Sequence, residues 1–520
     1  MFATLLTLIS ARSGGSCKTV TNSSAETTKD KKGCSSQRGL VISSVQPWSD
    51  AKEGVAFLES AWTHSLLSLV SLEVGSNDYS VFGTPGVKTD RALYRKPALP
   101  VRPRAGGKFL DPVFGTEIMR ATDESDGGAP GLGTYYSHWP TFNADNTKIL
   151  IRKGVNGEAI LKDFDAVNFQ LGATHTLPTL PDGTSVAWQG AIWSNTDPNI
   201  IYCHPGWNGA NYPDSGMKLY RYDVRVRTSA GYKLIKDLGS LAPRQPDFLG
   251  QMYMSADDDT FCWLHFRISG GNGIVWGYTV YRRSTNMMLD VPNTFVGGID
   301  EVHIDRTGRY LEIKLNQNQA DGSRTRIFDL QTKVMQVLMV NAQDKPTGHG
   351  DNGYGTMVGF DAWAAGIHVR KYNDIHHPKV QFVFSTSNGT LDWTLDFHLS
   401  MNATDQNWAT VGTYYNPGST TLPHSGVFSD EIFQVALDGS GRFRRLCHTR
   451  SAIDNLTATT GYWAVPKPNI SKDGRFIAYT SNWEKSGRYD LFIAKVDPPV
   501  PTPMRAPSTA PATTRRRRIS

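Results

Sequence analysis

The chain has 520 residues, 39% hydrophobic and 20% charged, enough apolar side chain for a large core and too little net charge for wholesale disorder. The formal charge is +6, but Arg515, Arg516, Arg517 and Arg518 supply four of those charges, so the basicity belongs to a solvated terminus and gives no reason to expect nucleic acid. No apolar run approaches the roughly 20 residues of a membrane span, and Cys17, Cys34, Cys203, Cys262 and Cys447 show no CxxC spacing, which speaks against both a disulfide framework and a zinc ribbon.

Residues 1–107 form an extension unlike the rest. Met1 to Ile9 is apolar and fits the core of a secretory signal, although a basic n-region and an A-x-A site before Arg12 are missing; a secreted or extracellular protein is the expectation. Ser13 to Gly39 is rich in Ser, Thr, Gly and Lys and reads as disordered. Lys52 to Val74 carries Phe57, Leu58, Trp62, Leu66, Leu67 and Val70 at helical spacing, and Pro97 to Gly107 is a linker. At the far end, Pro498 to Ser520 is Pro/Thr/Arg-rich and expected not to fold. Sequons stand at Asn22, Asn388, Asn402, Asn455 and Asn469, of consequence only in a glycosylating compartment.

Between the tails, over residues 108–497, a repeat emerges: an apolar strand, an Asx/Gly turn, a second strand, a third ending in a hydrophobic-Asp pair, and an amphipathic outer strand. Its clearest first hairpins are Pro140 to Ile151, Val302 to Ile313 and Pro468 to Tyr479; weaker copies are Ala191 to Cys203, Met252 to Leu264, Met357 to Arg370 and Leu399 to Thr413. Each turn holds Asn, Asp or Gly, which tolerate the left-handed backbone of a tight hairpin. The expected fold is all-β, a seven-bladed propeller. The last blade lacks an outer strand after Arg488 to Val496, and Phe109 to Thr122 is a strand segment with no hairpin before it. Pairing the two closes the ring and removes an open edge.

In a propeller the segments before each innermost strand and the loops between second and third strands reach one face. The first set gives His138, Gln189, Gln251, Glu301, Asp361, His398 and Trp463; the second gives His204, Trp207, Asn208, Tyr212, Arg267, Tyr372, His376, His377 and Trp483. Aromatic faces stack on sugar rings, and amides and imidazoles bond hydroxyls, so glycan is the expected ligand. Each of these residues also admits a purely structural reading, a histidine bonding neighbouring backbone or a tryptophan packing the rim. His349 lies in the glycine-rich stretch 347–355, where the backbone can closely approach a neighbouring blade or a ligand. Serine-hydrolase, zincin and nucleotide-loop motifs are absent.

Ser471 to Ser481 resembles the hairpins of TolB-type propeller blades, which recur in WD40-like binding proteins and bear on fold alone. Asp197 to His204, Gly348-His349 and Phe397 to Asn402 are similar to histidine-bearing segments of the oligogalacturonate lyases, seven-bladed propellers of the polysaccharide lyase class. That resemblance implies β-elimination on a uronate polysaccharide and a divalent metal held partly through a Q-x-x-H-x-H motif. At the matching positions this chain has Tyr462, Val465 and Lys467, so the family's ligands are absent and no cofactor is expected, a divalent metal held by other residues being the alternative. Tyr135 to Trp139 is loosely similar to a segment of the ulvan lyases, metal-independent propellers using His, Tyr and Arg. Read as a lyase, the chain offers His138 and His204 as base or acid, Tyr212 as a second acid, and Arg221 or Arg267 to neutralise the uronate carboxylate. Gln189, Trp207, Asn208, Gln251, His349, His398 and Trp463 would bind substrate. Read as a scaffold, the same face binds glycan or a protein partner without catalysis.

Overall fold

The computed structural model describes residues 87–94, 96–154, 158–206, 216–241, 247–270, 272–338, 349–361, 366–383, 395–415, 427–453 and 459–497. The expected signal segment, the helix over 52–74 and the arginine tail lie outside them, as do Trp207, Asn208 and Tyr212. Seven antiparallel sheets make up the fold, six of four strands and one of five. Blade 1 begins with the inner strand Leu132–Gly133 and blades 2, 3 and 4 with Val186–Trp193, Asp247–Met254 and Ile299–Ile304; blades 5, 6 and 7 begin with Asp351–Asn352, Leu395–Ser400 and Asn469–Ile470. No helix among the described residues is long and apolar enough to cross a membrane.

The repeat turn has a defined geometry. In blades 1, 3, 4 and 7 the amide of Asn146, Asp258, Gly308 or Gly474 donates to the carbonyl three residues back, and Asn143, Ser255, Asp305 or Ser471 donates to the carbonyl five residues ahead. All four third-position residues have φ between 58° and 75°, which accounts for the Asn, Asp or Gly found there. The Asp305 side chain accepts from the amides of Arg309 and Tyr310, and Ser471 Oγ accepts from Phe476.

Middle strands of each blade are covered on both sides by neighbouring blades, so their burial is continuous, not alternating. Every residue of Phe476–Ser481, Tyr310–Leu315 and Glu431–Ala436 is buried. Outer strands such as Gln170–Thr176 are largely exposed.

Closure occurs as the sequence indicates. Strand Glu117–Arg120 pairs with Asp490–Lys495, Glu117 opposite Lys495 and Arg120 opposite Phe492. A further edge strand, Lys108–Leu110, pairs with Glu117–Arg120, so the segment expected as one strand is a hairpin and blade 7 has five strands. Met119, Leu132, Ile151, Phe164, Phe476 and Ile493 share one core between blades 7 and 1. Residues 88–92 run along blade 6, where Arg445 is enclosed by both carboxylate oxygens of Glu431 and the carbonyls of Asp90 and Ala92.

Blade 5 corrects the sequence reading by one strand. Met357 to Arg370 forms the second and third strands, Thr356–Asp361 and Gly366–Lys371, and not the first hairpin. Asp361 therefore ends a second strand, and the segment before the inner strand is His349-Gly350. Tyr372 lies in the turn between third and outer strands, where its hydroxyl donates to Glu312 and Asn352; His376 and His377 are in the outer strand, His377 beside Asp374. All three leave the functional face. The sequon residues Asn402 and Asn469 are buried and bonded to backbone carbonyls of the 136–139 loop, which this fold does not reconcile with a glycan.

Candidate active site at the propeller axis

The inner strand of blade 1 is interrupted. After Leu132–Gly133 pairs with Arg152 and Lys153, residues 134–141 leave the sheet, and pairing resumes only at Phe142 opposite Ile149. The excursion carries Tyr136, His138 and Trp139 across the channel. Asn469 of blade 7 donates to the carbonyls of Tyr136, Ser137 and Trp139, Asn402 of blade 6 donates to that of Ser137, and Trp139 Nε1 donates to Met252 O of blade 3 at 2.6 Å. One short loop touching blades 3, 6 and 7 can only lie on the axis.

Around it the rings of several blades meet. His138 is 4.8 Å from Tyr253 and 5.1 Å from His303, centroid to centroid, and its Nε2 shares a hydrogen bond with the Tyr253 hydroxyl. Tyr136 meets His398 edge-on at 4.8 Å, and His398 stacks on His349 at 4.7 Å and on Tyr414 at 5.4 Å. Trp463 sits on a short helix, Thr459–Ala464, before the inner strand of blade 7. Arg152 lies 3.6 Å over its ring, and Lys467 covers Tyr462 while donating to the Tyr462 carbonyl at 2.8 Å.

These groups are set to different charge states. Burial, then the nearby His303, holds His138 well below the ordinary histidine pKa, and burial followed by His349 does the same to His398. Both are neutral at pH 7. Burial also opposes protonation of His349, yet Asp396, 3.1 Å from its Nδ1, raises its pKa above the usual value. With its side chain 35% exposed, His349 is within reach of a ligand, and Asp396 favours its protonated form. Against its burial, Lys314 at 3.1 Å and His303 at 3.0 Å hold Glu301 well below the carboxylate range. Separating the charge states of neighbouring groups in this way is how a fold assigns acid and base roles at one pH.

Three successive inner strands carry extra residues at one level. Pairing slips between Val186 and Ala191 in blade 2, between Gly250 and Tyr253 in blade 3, and between Ile299 and Glu301 in blade 4. Such bulges re-aim side chains, and the residues they displace include Gln189, Gln251 and Asp300. Gln251, with φ 55° and 2% exposure, has no partner for either amide atom among the described residues.

Of the sequence-derived candidates, His138, His349, His398 and Trp463 come together here, with Gln189 and Gln251 on the bulged strands. His204 does not. Its ring packs on Gly190, where a Cβ would come within 2.3 Å of Nε2, and its Nδ1 faces Pro205 O at 2.9 Å. Arg221 is mid-strand in the third strand of blade 2, opposite Tyr202 and Lys233, two strands or roughly 10 Å out from the inner strand. Arg267 is engaged by Asp247 at 2.9 Å and stacks on Trp276 at 4.1 Å, away from the axial rings. Trp483 packs parallel to Phe492 as rim filling. Tyr136, Tyr253, His303, Lys314, Asp396 and Tyr414 were not named as site residues from sequence, and Lys467 was named only as a lost metal ligand; Lys314 and Arg152, near the ends of second strands, occupy the repeat position that drew attention to His204.

Solved structures of similar architecture include an oligogalacturonate lyase in complex with manganese, with TM-score 0.52, 12% identity and coverage of 76% of this chain and 97% of that one. Another is an oligogalacturonate lyase from Vibrio parahaemolyticus, with TM-score 0.52, 11% identity and coverage of 75% and 96%. The propeller is what they share. No family model and no curated protein matches the sequence. The residues present do not fit a manganese site: among the described residues no three His, Cys, Asp or Glu side chains are grouped to hold a metal, and the motif positions hold a phenol, an isopropyl group and an amine turned to a carbonyl.

Neutral buried imidazoles make stability fall with acidity. His204 has a folded pKa of about 4, lowered mainly by burial, against about 6.5 unfolded. Its contribution is intact above pH 6.5 and is lost as pH falls toward 4, because the unfolded chain binds the proton first. From this group alone unfolding should become easier by about 2 kcal/mol between pH 7 and 5, with His138 and His398 acting in the same direction. Urea unfolding across that range measures the slope, and His204→Phe should flatten it by one group's share.

Proposed function

We propose that the axial site cleaves uronate-containing polysaccharide by β-elimination, with an extracellular site of action. The observation that carries this reading is the meeting of two buried histidines of lowered pKa, His138 and His398, with the carboxylate-held, solvent-reachable His349. Elimination needs a cation at the uronate carboxylate to acidify the adjacent C–H, and a base to remove that proton. His349 supplies the cation. If His138 donates its Nε2–H to Tyr253, its Nδ1, unpartnered among the described residues, presents the lone pair that abstracts the proton. Incubating the protein with pectate, ulvan and glucuronan while following absorbance of the unsaturated product tests the reading; folded protein that is silent on the whole panel removes it.

A second reading, a non-catalytic glycan-binding propeller, is favoured by one feature: Lys314 and Arg267 are each engaged by carboxylates of the chain itself. Glycan-array binding that survives both His138→Ala and His204→Ala, without product formation by the parent protein, selects it.

A further inference from the structure

Asp300 stands apart from the other carboxylates of the site. It is the inserted residue of the blade 4 bulge: Ile299 pairs with Leu315 and Glu301 with Lys314, leaving Asp300 with no cross-strand partner. It is partly exposed, has no hydrogen-bond or ion-pair partner among the described residues, and lies at the level where blade 3 displaces the buried, unpartnered Gln251. Glu301 on its own strand, Lys314 on the next strand and His349 ahead of blade 5 all act on it electrostatically. Its charge in turn reaches Tyr136 of blade 1 and Tyr462 ahead of blade 7. The bulge therefore places Asp300 among the charged and phenolic groups of the axial site.

Building on the lyase reading, we propose that Asp300 is the proton donor to the leaving sugar oxygen, a role distinct from that of the histidine base. In the step, the C–H bond beside the uronate carboxylate breaks and its proton passes to His138 Nδ1. The electron pair forms the C=C bond, the C–O bond to the leaving sugar breaks, and the Asp300 O–H proton goes to that oxygen. Solvent then returns the proton from His138 and restores Asp300. The electrostatics agree with the geometry: burial, then the adjacent Glu301 charge, raises Asp300 to about 6, so a useful fraction is protonated in mildly acidic solution, while Glu301 stays ionised through Lys314. Two carboxyls side by side take opposite states, as in other acid/base pairs.

The test compares full-length wild type, Asp300→Asn and Asp300→Glu on whichever panel polymer the wild type cleaves, recording kcat and KM from pH 5 to 8 together with thermal unfolding. Wild-type rate should decline as pH rises above about 6, where the donor loses its proton. Asp300→Asn should lose about 10²-fold or more in kcat and that alkaline decline with it, at unchanged unfolding temperature, and Asp300→Glu should recover part of the rate with the decline displaced. An Asp300→Asn protein with wild-type rate and profile overturns the donor role. If Asp300→Asn does not fold, an undisplaced decline in Asp300→Glu overturns it equally. A wild type inactive on every polymer removes the lyase reading and the donor role together, whereas an active wild type beside an unchanged Asp300→Asn removes the donor role alone.

Discussion

Asp490→Ala should cost about 3–5 kcal/mol of unfolding free energy, the loss expected when one partner of a buried ion pair is removed. Asp490 accepts from Arg120 at 2.6 Å, Thr122 at 3.0 Å and Arg488 at 2.8 Å, and it and Arg120 are both almost fully buried. The mutation strands a guanidinium between the two segments that join the chain's ends. Glu124, at 3.1 Å from Arg120 but 58% exposed, relieves only part of it, so the lower half of that range is the better expectation. Because the damage falls on the joint itself, the variant should also expose strand Asp490–Lys495 as an edge and associate at higher protein concentration. Urea unfolding and light scattering, with Glu124→Ala as a control expected to change stability by less than about 1 kcal/mol, read both effects. A stable, monomeric Asp490→Ala would mean that the apolar contacts around Met119 and Ile493 hold the ring without the ion pair.

His138→Ala should lower kcat by about 10²–10⁴-fold, the span typical for a lost general base, with the fold retained because the 134–141 excursion is anchored by Asn469, Asn402 and Trp139 and not by the imidazole. Tyr253→Phe should have a smaller effect of the same sign: it leaves the base in place but frees Nε2, so the neutral ring no longer has a partner to select its tautomer. The order His138→Ala below Tyr253→Phe below wild type, measured by product absorbance at saturating substrate, is the expected result. Equal activity of His138→Ala and wild type would move the base to His398.

The parts of this molecule legible in the sequence are those written in residue type. The left-handed positions at Asn146, Asp258, Gly308 and Gly474 demand particular side chains, so the blades could be counted; the apolar Phe109 to Thr122 segment has no hairpin before it, so its partner could be named. Blade 5 reads one strand late because its inner strand is only Asp351–Asn352, too short for a recognisable apolar pattern, while Met357, Val358 and Phe360 make the second strand the first apolar segment. The site was legible where the repeat places a residue before or at the start of an inner strand, as for His138 and His398, and where the glycine-rich stretch 347–355 drew attention to His349. Asp300 was not, because a bulge is set by the number of residues opposing one another across two strands, which side-chain identity does not record. His204 and Arg267 occupy the right repeat positions, but Gly190 takes the ring of one and Asp247 and Trp276 hold the other, contacts between strands that no single segment reveals.

Arg120 and Asp490 are 370 residues apart in the chain. On a ribosome adding about 5–20 residues per second, the hairpin of residues 108–120 emerges roughly 20–75 s before its mate exists. Through that interval a nascent partial ring carries unpaired strand edges at both ends, and a neighbouring polysome's chain offers the same apolar segment in competition. Productive folding of this protein should therefore depend on how well those early edges are shielded during synthesis, and slow translation near the 3′ end of the message should lower its yield more than slow translation early on.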